Sequence, residues 1–343
     1  MIAGWMIYSI FLGGLCALAA HALETSARLT RLPTRWLWLG ALVATVGTST
    51  IALYTAIGGA TRLIPRRIGS SWLDNPAGTY MQFYEYVSRL DRYLSPLLWT
   101  SSAVVAGVFA IAIARLVERR RSWLSVSLDG HSVLVSDTEG PAIVGLVKSA
   151  IVVPKWALAE SQRVRSLIIA HELEHQRSGD HLLSAIALVL TVAQPWNPAV
   201  WWIARRLRLA LEVDCDSRVL RRGSDPRAYS LLLLEAGSRA AGCRLPIPAL
   251  SRPLSSLEER LRVITAERRS SRLRAARLVL VAGILVATAA FIPEPGALHC
   301  MLEYMGFGGP AHHSHVGLAG PARNGHVGLG SPAHQGHIGK SIG

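Results

Sequence analysis

Four long stretches of this chain carry no formally charged side chain: residues 1–23, 36–60, 93–114 and 182–204. An α-helix needs about 20 apolar residues to cross a hydrocarbon core of about 30 Å, because each residue advances it by about 1.5 Å. Each stretch is therefore long enough to meet a bilayer. Half of the residues are apolar and only 17% are charged, and the apolar ones are clustered into these blocks. A fifth run, residues 278–293, approaches span length once Ala275, Ala276 and a snorkelling Arg277 are added.

The formal charge of +14 is carried almost wholly by arginine, since Lys148, Lys155 and Lys340 are the only lysines. The basic clusters stand at the ends of the apolar runs: Arg28, Arg31 and Arg35 between the first two, and Arg115, Arg119, Arg120 and Arg121 after the third. By the bias of basic residues toward the cytoplasm, spans at about 1–23, 36–60 and 93–114 place Met1 outside and the region after Arg121 inside. No basic segment precedes the first run, so an uncleaved span is expected rather than a secretory signal. The connection 61–92 mixes arginines with Asp74, Glu85, Asp91 and aromatic residues, as an interfacial segment does. A nucleic-acid binder would set its charge along one face, and no helix-turn-helix is legible; the lipid bilayer is the partner this charge pattern fits. Cys16, Cys215, Cys243 and Cys300 lack paired spacing, which argues against a disulfide framework and against a cysteine zinc site.

Residues 122–154 change character, with strand-like runs at 124–128 and 132–135 around Asp129-Gly130, a favoured hairpin turn, and another at 150–153 stopped by Pro154. Val164, Leu167, Ile168 and Leu173 then recur at helical spacing and lead into His171-Glu172-Leu173-Glu174-His175. Histidines four apart share one helical face, so both imidazoles can reach one metal ion while Glu172 faces the water that ion would hold. Alone, the motif reads equally well as a helix with two surface histidines and two solvated glutamates.

The run 182–204 would be assigned as a span by hydropathy. Crossing would, however, put the two histidines and Glu212 on opposite sides of the bilayer. Gln194-Pro195-Trp196-Asn197-Pro198 supplies a break, with Asn197 as N-cap and Pro198 at the first helical position. A helix, a turn against or partly into the membrane, and a returning helix to about residue 220 are expected instead. On that second helix Glu212 and Asp216 share a face. A carboxylate there can complete a two-histidine zinc set, and Asp216 can accept a ligand imidazole's free N–H. By themselves the two acids read as a surface pair balancing Arg205, Arg208 and Arg218. Farther on, 231–234 reads as a core segment and 257–264 as amphipathic. The tail from 294 holds three copies of an eleven-residue unit, with His315, His326 and His337 in equivalent places; its glycine and proline content predicts disorder. It is either a weak chelator of zinc, copper or nickel or a linker that binds nothing.

The ordered set formed by the histidine motif, Asp180, Trp196-Asn197-Pro198 with Trp201, and Glu212-Val213-Asp214-Cys215-Asp216 resembles peptidase family M56, the membrane metallopeptidases of the BlaR/MecR type. The resemblance covers about residues 1–295. It implies a mainly α integral membrane protein with about four transmembrane helices, an α+β gluzincin-like zinc peptidase domain in the cytoplasm and a disordered tail. The corresponding divisions are 1–114 for the three-span region, 115–276 for the peptidase, 277–293 for the fourth span and 294–343 for an external tail. It further implies one Zn²⁺ held by His171, His175 and Glu212, Glu172 as catalytic base, Asp216 behind the ligands, and a cytoplasmic protein substrate, a repressor or the chain itself, in a bacterial inner membrane. Family sensors of β-lactams carry an external penicillin-binding domain; the tail is short for one and has no Ser-x-x-Lys, so antibiotic sensing is not carried over. Three finer expectations complete the reading: an arginine or tyrosine as oxyanion donor, substrate binding along the strand at 150–153, and self-cleavage near Arg268-Arg269. The competing reading is a non-catalytic receptor or scaffold with a metal-binding tail, which would have no use for the base Glu172.

Overall fold

The computed structural model describes residues 2–30, 32–58, 89–137, 140–240, 254–265 and 272–291. Most of the segment 61–92, Arg268-Arg269 and the repeat tail lie outside the described residues. Among those described, three helices are long and apolar enough to cross a membrane: α1 (Ile2–Thr30), α2 (Arg35–Gly58) and α3 (Asp91–Arg120). Helices α1 and α3 continue past the expected spans into their basic ends. Arginine is a good helix former with a long stem that can lie on apolar surface, so the helix need not stop with the apolar run. The short fifth run forms the 20-residue helix α10 (Arg272–Phe291). It packs on α1 through Ala19, Ala22 and Ala282, flanked by Leu23, Leu278 and Leu285. Small side chains let two backbones approach closely, the usual basis of helix pairing where lipid removes the hydrophobic drive.

Strands β1 (Leu124–Leu128), β2 (His131–Ser136), β3 (Ala142–Val144) and β4 (Ala150–Pro154) form one sheet in the order β1-β2-β4-β3. Asp129 and Gly130 both have positive φ, 48° and 81°, as a two-residue primed turn requires. The structure corrects the substrate-edge expectation: β4 pairs parallel with β2 and antiparallel with β3, so both of its hydrogen-bonding sides are taken. The edge beside β4 is β3, three residues long and too short to show a period-two pattern in sequence.

Helix α4 (Lys155–Leu158) leads to α5 (Gln162–Arg177), which carries the histidine motif. Gly179, at φ 67°, turns the chain sharply into α6 (Asp180–Ala193). Left-handed backbone of this kind favours glycine, and it brings Asp180 back beside His175. The chain then breaks at 194–197 and returns as α7 (Pro198–Arg221), with the Asn197 side chain accepting from the Ala199 N–H at 3.0 Å. Helices α8 (Pro226–Ala240) and α9 (Leu254–Thr265) follow.

The α6–α7 hairpin is embedded among the apolar helices. Trp38, Leu42 and Val46 of α2 share one buried core with Leu183 and Ala187 of α6 and Val200, Ile203 and Leu207 of α7. Its turn is polar and is bonded to the first two helices. Gln194 donates to Ser49 Oγ at 2.6 Å, Asn197 donates to the Ser9 carbonyl at 3.2 Å, and the Trp5 indole donates to the Ser49 carbonyl at 2.6 Å. Gly13 lets α1 come close here, since a Cβ would lie 2.8 Å from that of Ala199 and 3.0 Å from Thr45 Cγ2. Ser49 stands about four helical turns, or about 21 Å, along α2 from Arg35. At the opposite end of the hairpin Asp214 of α7 caps α2, its Oδ2 accepting the backbone N–H groups of Thr34 at 2.9 Å and Arg35 at 3.1 Å. A second core, with Val133, Ile151 and Val153 of the sheet, Ile168 of α5, Cys215 and Val219 of α7, and Tyr229, Leu232 and Leu233 of α8, lies beneath the histidine motif.

Changing Asn197 to alanine removes the α7 cap and the bond to Ser9 but leaves the apolar packing. Thermal unfolding of the full chain in detergent should show a loss of about 1–2 kcal/mol. An unchanged midpoint would show that this turn is not what holds the hairpin tip.

Candidate metal centre

Helical spacing brings His171 and His175 onto one face of α5, with their rings nearly perpendicular at 89° and their Nε2 atoms 3.2 Å apart. Glu212, reaching across from α7, places Oε2 3.6 Å from His171 Nε2 and 4.0 Å from His175 Nε2. The three predicted ligands therefore converge. Glu172 and Glu174 are both 3% exposed, so the alternative of a solvated surface helix does not hold. Glu174 is bound by arginines of the neighbouring turns and of α7, with Arg222 Nε at 2.7 Å.

Each imidazole has its other nitrogen fixed. His175 Nδ1 donates to Asp180 Oδ2 at 2.7 Å, and that carboxylate also takes Arg35 Nη1 at 2.6 Å and Arg218 Nη2 at 2.7 Å. Burial pushes the Asp180 carboxyl up, but the His175 hydrogen bond and the cations outweigh it and hold the group below the usual carboxylate range. His171 Nδ1 lies 2.8 Å from the Tyr229 hydroxyl, which donates to Asp216 Oδ1 at 2.7 Å. The expected direct bond from Asp216 to a ligand histidine is thus corrected: Nδ1 and Oδ1 are 3.8 Å apart and the Tyr229 hydroxyl stands between. Burial and the neighbouring Asp216 charge push the Tyr229 phenol up, so it stays a neutral donor.

Asp216 is held by Arg260 of α9 through a two-pronged contact, Nε to Oδ2 at 2.8 Å and Nη2 to Oδ1 at 2.7 Å. The third guanidinium nitrogen reaches Glu212 Oε2 at 2.9 Å. Tyr229 and Arg260 escaped the sequence reading, although a signal existed. Arg260 occupies the apolar stripe of α9 between Leu257, Leu261 and Ile264, and Tyr229 that of α8 with Leu232 and Leu233. A charged or hydroxyl-bearing residue on a core-facing stripe needs a buried partner.

The structure also corrects the reading of the cysteines. Cys215 is fully buried with Sγ 3.4 Å from His171 Nδ1, and His171, His175 and Cys215 form a second group with metal-ligand chemistry. Scattered spacing rules out paired cysteines, not a single thiol one residue from an acid of the same helix.

The donor set fits a metal ion. With both Nδ1 atoms engaged by oxygen partners, the two Nε2 lone pairs face each other and an adjacent carboxylate, an arrangement that a shared cation relieves. The titration behaviour points the same way. Burial pushes His171 down, yet the Cys215 thiol and the Glu212 carboxylate outweigh it and hold the imidazole up at about 9. His175 is likewise raised, burial being overcome by Asp180, Cys215 and Glu212.

Comparison with known proteins agrees with the geometry. The family model described as BlaR1 peptidase M56 matches residues 92–264, half of the chain. Regulatory protein BlaR1 of Bacillus licheniformis is 26% identical over 83 residues, which are 24% of this chain and 14% of that protein.

Two outcomes follow from the ligand environment. Tyr229→Phe removes the link between His171 and Asp216, and zinc affinity measured by chelator competition should fall by about tenfold or more. Protons compete for the same nitrogens up to the raised imidazole values, so apparent zinc affinity should climb from pH 6.5 to about 9. The expected slope is about tenfold per pH unit for each proton displaced. A flat profile would show that these imidazoles are not the ligands.

Proposed function

The chain belongs to the BlaR1 peptidase M56 family, and from that premise we propose that it is an integral membrane zinc endopeptidase that cuts a cytoplasmic regulatory protein in response to an external signal. The observation that carries this reading is the meeting of two fixed imidazoles and a carboxylate from separate helices within 4.0 Å of one another. His171, His175 and Glu212 would hold the zinc, leaving one tetrahedral position open, as a catalytic site requires. Cys215 is the weaker third ligand, because it lies on the Nδ1 side of His171, and one ring cannot offer both nitrogens to the same ion. A zinc ion bound there supplies Lewis acidity, polarising a scissile carbonyl and bringing the pKa of a water down to about 7.

Within this site each residue of the chain has a separate task. Glu172, one residue along α5 from His171, takes the proton of the attacking water and delivers it to the leaving amine. Asp180 fixes His175, and the Tyr229–Asp216 pair fixes His171. Arg260 holds Glu212 and Asp216 from α9. An extended substrate would add to the free edge at β3 rather than to β4. Gln176 ties this part of the sheet to the site helix, donating to the Ser149 carbonyl at 2.9 Å.

In the membrane, we take α1, α2, α3 and α10 as the four spans, with 115–276 as the cytoplasmic peptidase and 1–114, 277–293 and 294–343 divided as the charge pattern suggests. Arg35 then marks the inner face, and the α6–α7 hairpin is re-entrant, its turn lying about 21 Å deep at the level of Ser49. The metal centre at the hairpin's base would stand beside the inner leaflet, where a soluble substrate can reach it. A transcriptional repressor, or a cytoplasmic segment of the chain itself, fits that placement.

Glu172→Gln tests the assignment in the full chain in lipid nanodiscs with a library of quenched-fluorescence peptides. Cleavage should fall at least about 100-fold while one equivalent of zinc is retained. Undiminished cleavage would reject the peptidase reading.

A further inference from the structure

Arg35 belongs to the basic cluster that orients the first two apolar helices, and charge asymmetry is the task such residues ordinarily perform. Here its guanidinium has a second address. Nη1 meets Asp180 Oδ1 at 2.6 Å, and the other oxygen of Asp180 receives His175 Nδ1 at 2.7 Å. We propose that Arg35 is a positioning residue for the metal centre, acting through Asp180 on His175, so that the stance of the membrane helix α2 sets the competence of the site. This inference rests on the metal reading given above.

Three observations carry it. Asp180 is only 3% exposed, yet it follows the left-handed Gly179 turn and is not part of the helix that bears the histidines. The Gly179 turn brings its backbone to the site, and the groups that bind its carboxylate fix the side chain. Second, the start of α2 is clamped to α7 as well, because Asp214 accepts the backbone N–H groups of Thr34 and Arg35. Asp214 lies between Glu212 and Asp216 in the chain, so the first turn of α2 touches the supports of the site from both helices. Third, the contact is a charge-assisted one between largely buried groups, Arg35 being 14% and Asp180 3% exposed by side chain. Such contacts are short and directional, and moving one end by an ångström or so breaks them. A shift of α2 relative to α7 would then take away one of the two cations that hold Asp180, leaving Arg218 alone to fix the carboxylate that orients His175.

The experiment measures zinc affinity by chelator competition on the full chain in nanodiscs, for the wild type, Arg35→Gln, Asp180→Asn and the double variant. Arg28→Gln serves as control: Arg28 is basic, sits near the same membrane face and pairs with Glu24 and Glu259 instead. Asp180→Asn should weaken zinc binding by about 10- to 100-fold and Arg35→Gln by about 10-fold. The double variant should be no weaker than Asp180→Asn, and Arg28→Gln should bind as the wild type does. Unchanged affinity in Arg35→Gln, additivity in the double variant, or an equal loss in Arg28→Gln would overturn the inference. If Arg35→Gln does not accumulate folded, judged by monodispersity and tryptophan emission, Arg35→Lys carries the test. It keeps the charge on a shorter side chain that does not set a donor where Nη1 stands and should lose affinity, whereas wild-type affinity in it would overturn the inference. Failure of the wild type to bind one equivalent of zinc would remove the metal reading itself, which is a separate result from a normal wild type with an indifferent Arg35.

Discussion

Two imidazole nitrogens facing each other at 3.2 Å are the constraint around which the rest of this molecule is arranged. Left to themselves, buried rings in that position would rotate or share a proton. What prevents rotation is that each ring's far nitrogen is bonded to oxygen, Asp180 for His175 and Tyr229 for His171. Asp180 is itself fixed by arginines of α2 and α7, and Tyr229 by Asp216, which Arg260 of α9 holds in turn. Burying carboxylates in this number is unfavourable unless every oxygen finds a donor; removing one partner of such a pair typically costs about 3–5 kcal/mol. The planar fork of arginine answers two carboxylate oxygens at once, which explains why the only lysines of the chain, Lys148, Lys155 and Lys340, are absent from the site.

The same logic governs the hairpin. A turn inserted among apolar helices exposes backbone groups that lipid cannot satisfy, so its polar side chains must be supplied with partners from neighbouring helices. Ser49 does this for Gln194 and Ser9 for Asn197, while the Trp5 indole donates to the Ser49 carbonyl. Trp5 also stacks near Trp196, with ring centroids 5.1 Å apart. The hairpin is thereby a rigid body joined at its tip to the N-terminal part of α1 and at its base to the start of α2. Its two legs begin and end on site residues, Asp180 at the start of α6 and Glu212 with Asp216 toward the end of α7.

Much of this arrangement was legible in the chain, and the reasons are local. Charge-free runs fix the long helices, Asp129-Gly130 fixes the hairpin, and Asn197-Pro198 marks a helix start that no uninterrupted span would contain. That 182–204 turns back rather than crosses follows from one geometric argument, that residues on opposite faces of a bilayer cannot share an ion, while the set His171, His175 and Glu212 is what the family resemblance implies. What stayed hidden depends on long-range packing. The relay through Tyr229 and the brace from Arg260 join α7 to helices whose placement no local pattern specifies. Strand β3 is too short to announce itself, and without it β4 looked like an edge. Cys215 was set aside because cysteine spacing was weighed in sequence, whereas the thiol reaches His171 only because α7 crosses α5 there.

The sharing at Asp180 determines how such a site would respond to disturbance. One carboxylate oxygen serves Arg35, while the other serves both His175 and Arg218. Withdrawal of α2 would therefore remove one of two cations and leave the carboxylate ionised, still bonded to His175 but anchored from α7 alone. Asp216 differs, since both its oxygens are gripped by the single guanidinium of Arg260, whose loss leaves the buried charge with the neutral Tyr229 hydroxyl as its bonded donor and no cation on it. One histidine thus has a graded support shared between α2 and α7, and the other a support that runs through α8 and α7 to the single guanidinium of α9. A movement of α2 would act on the first, because there one cation can be lost while the other still holds the carboxylate.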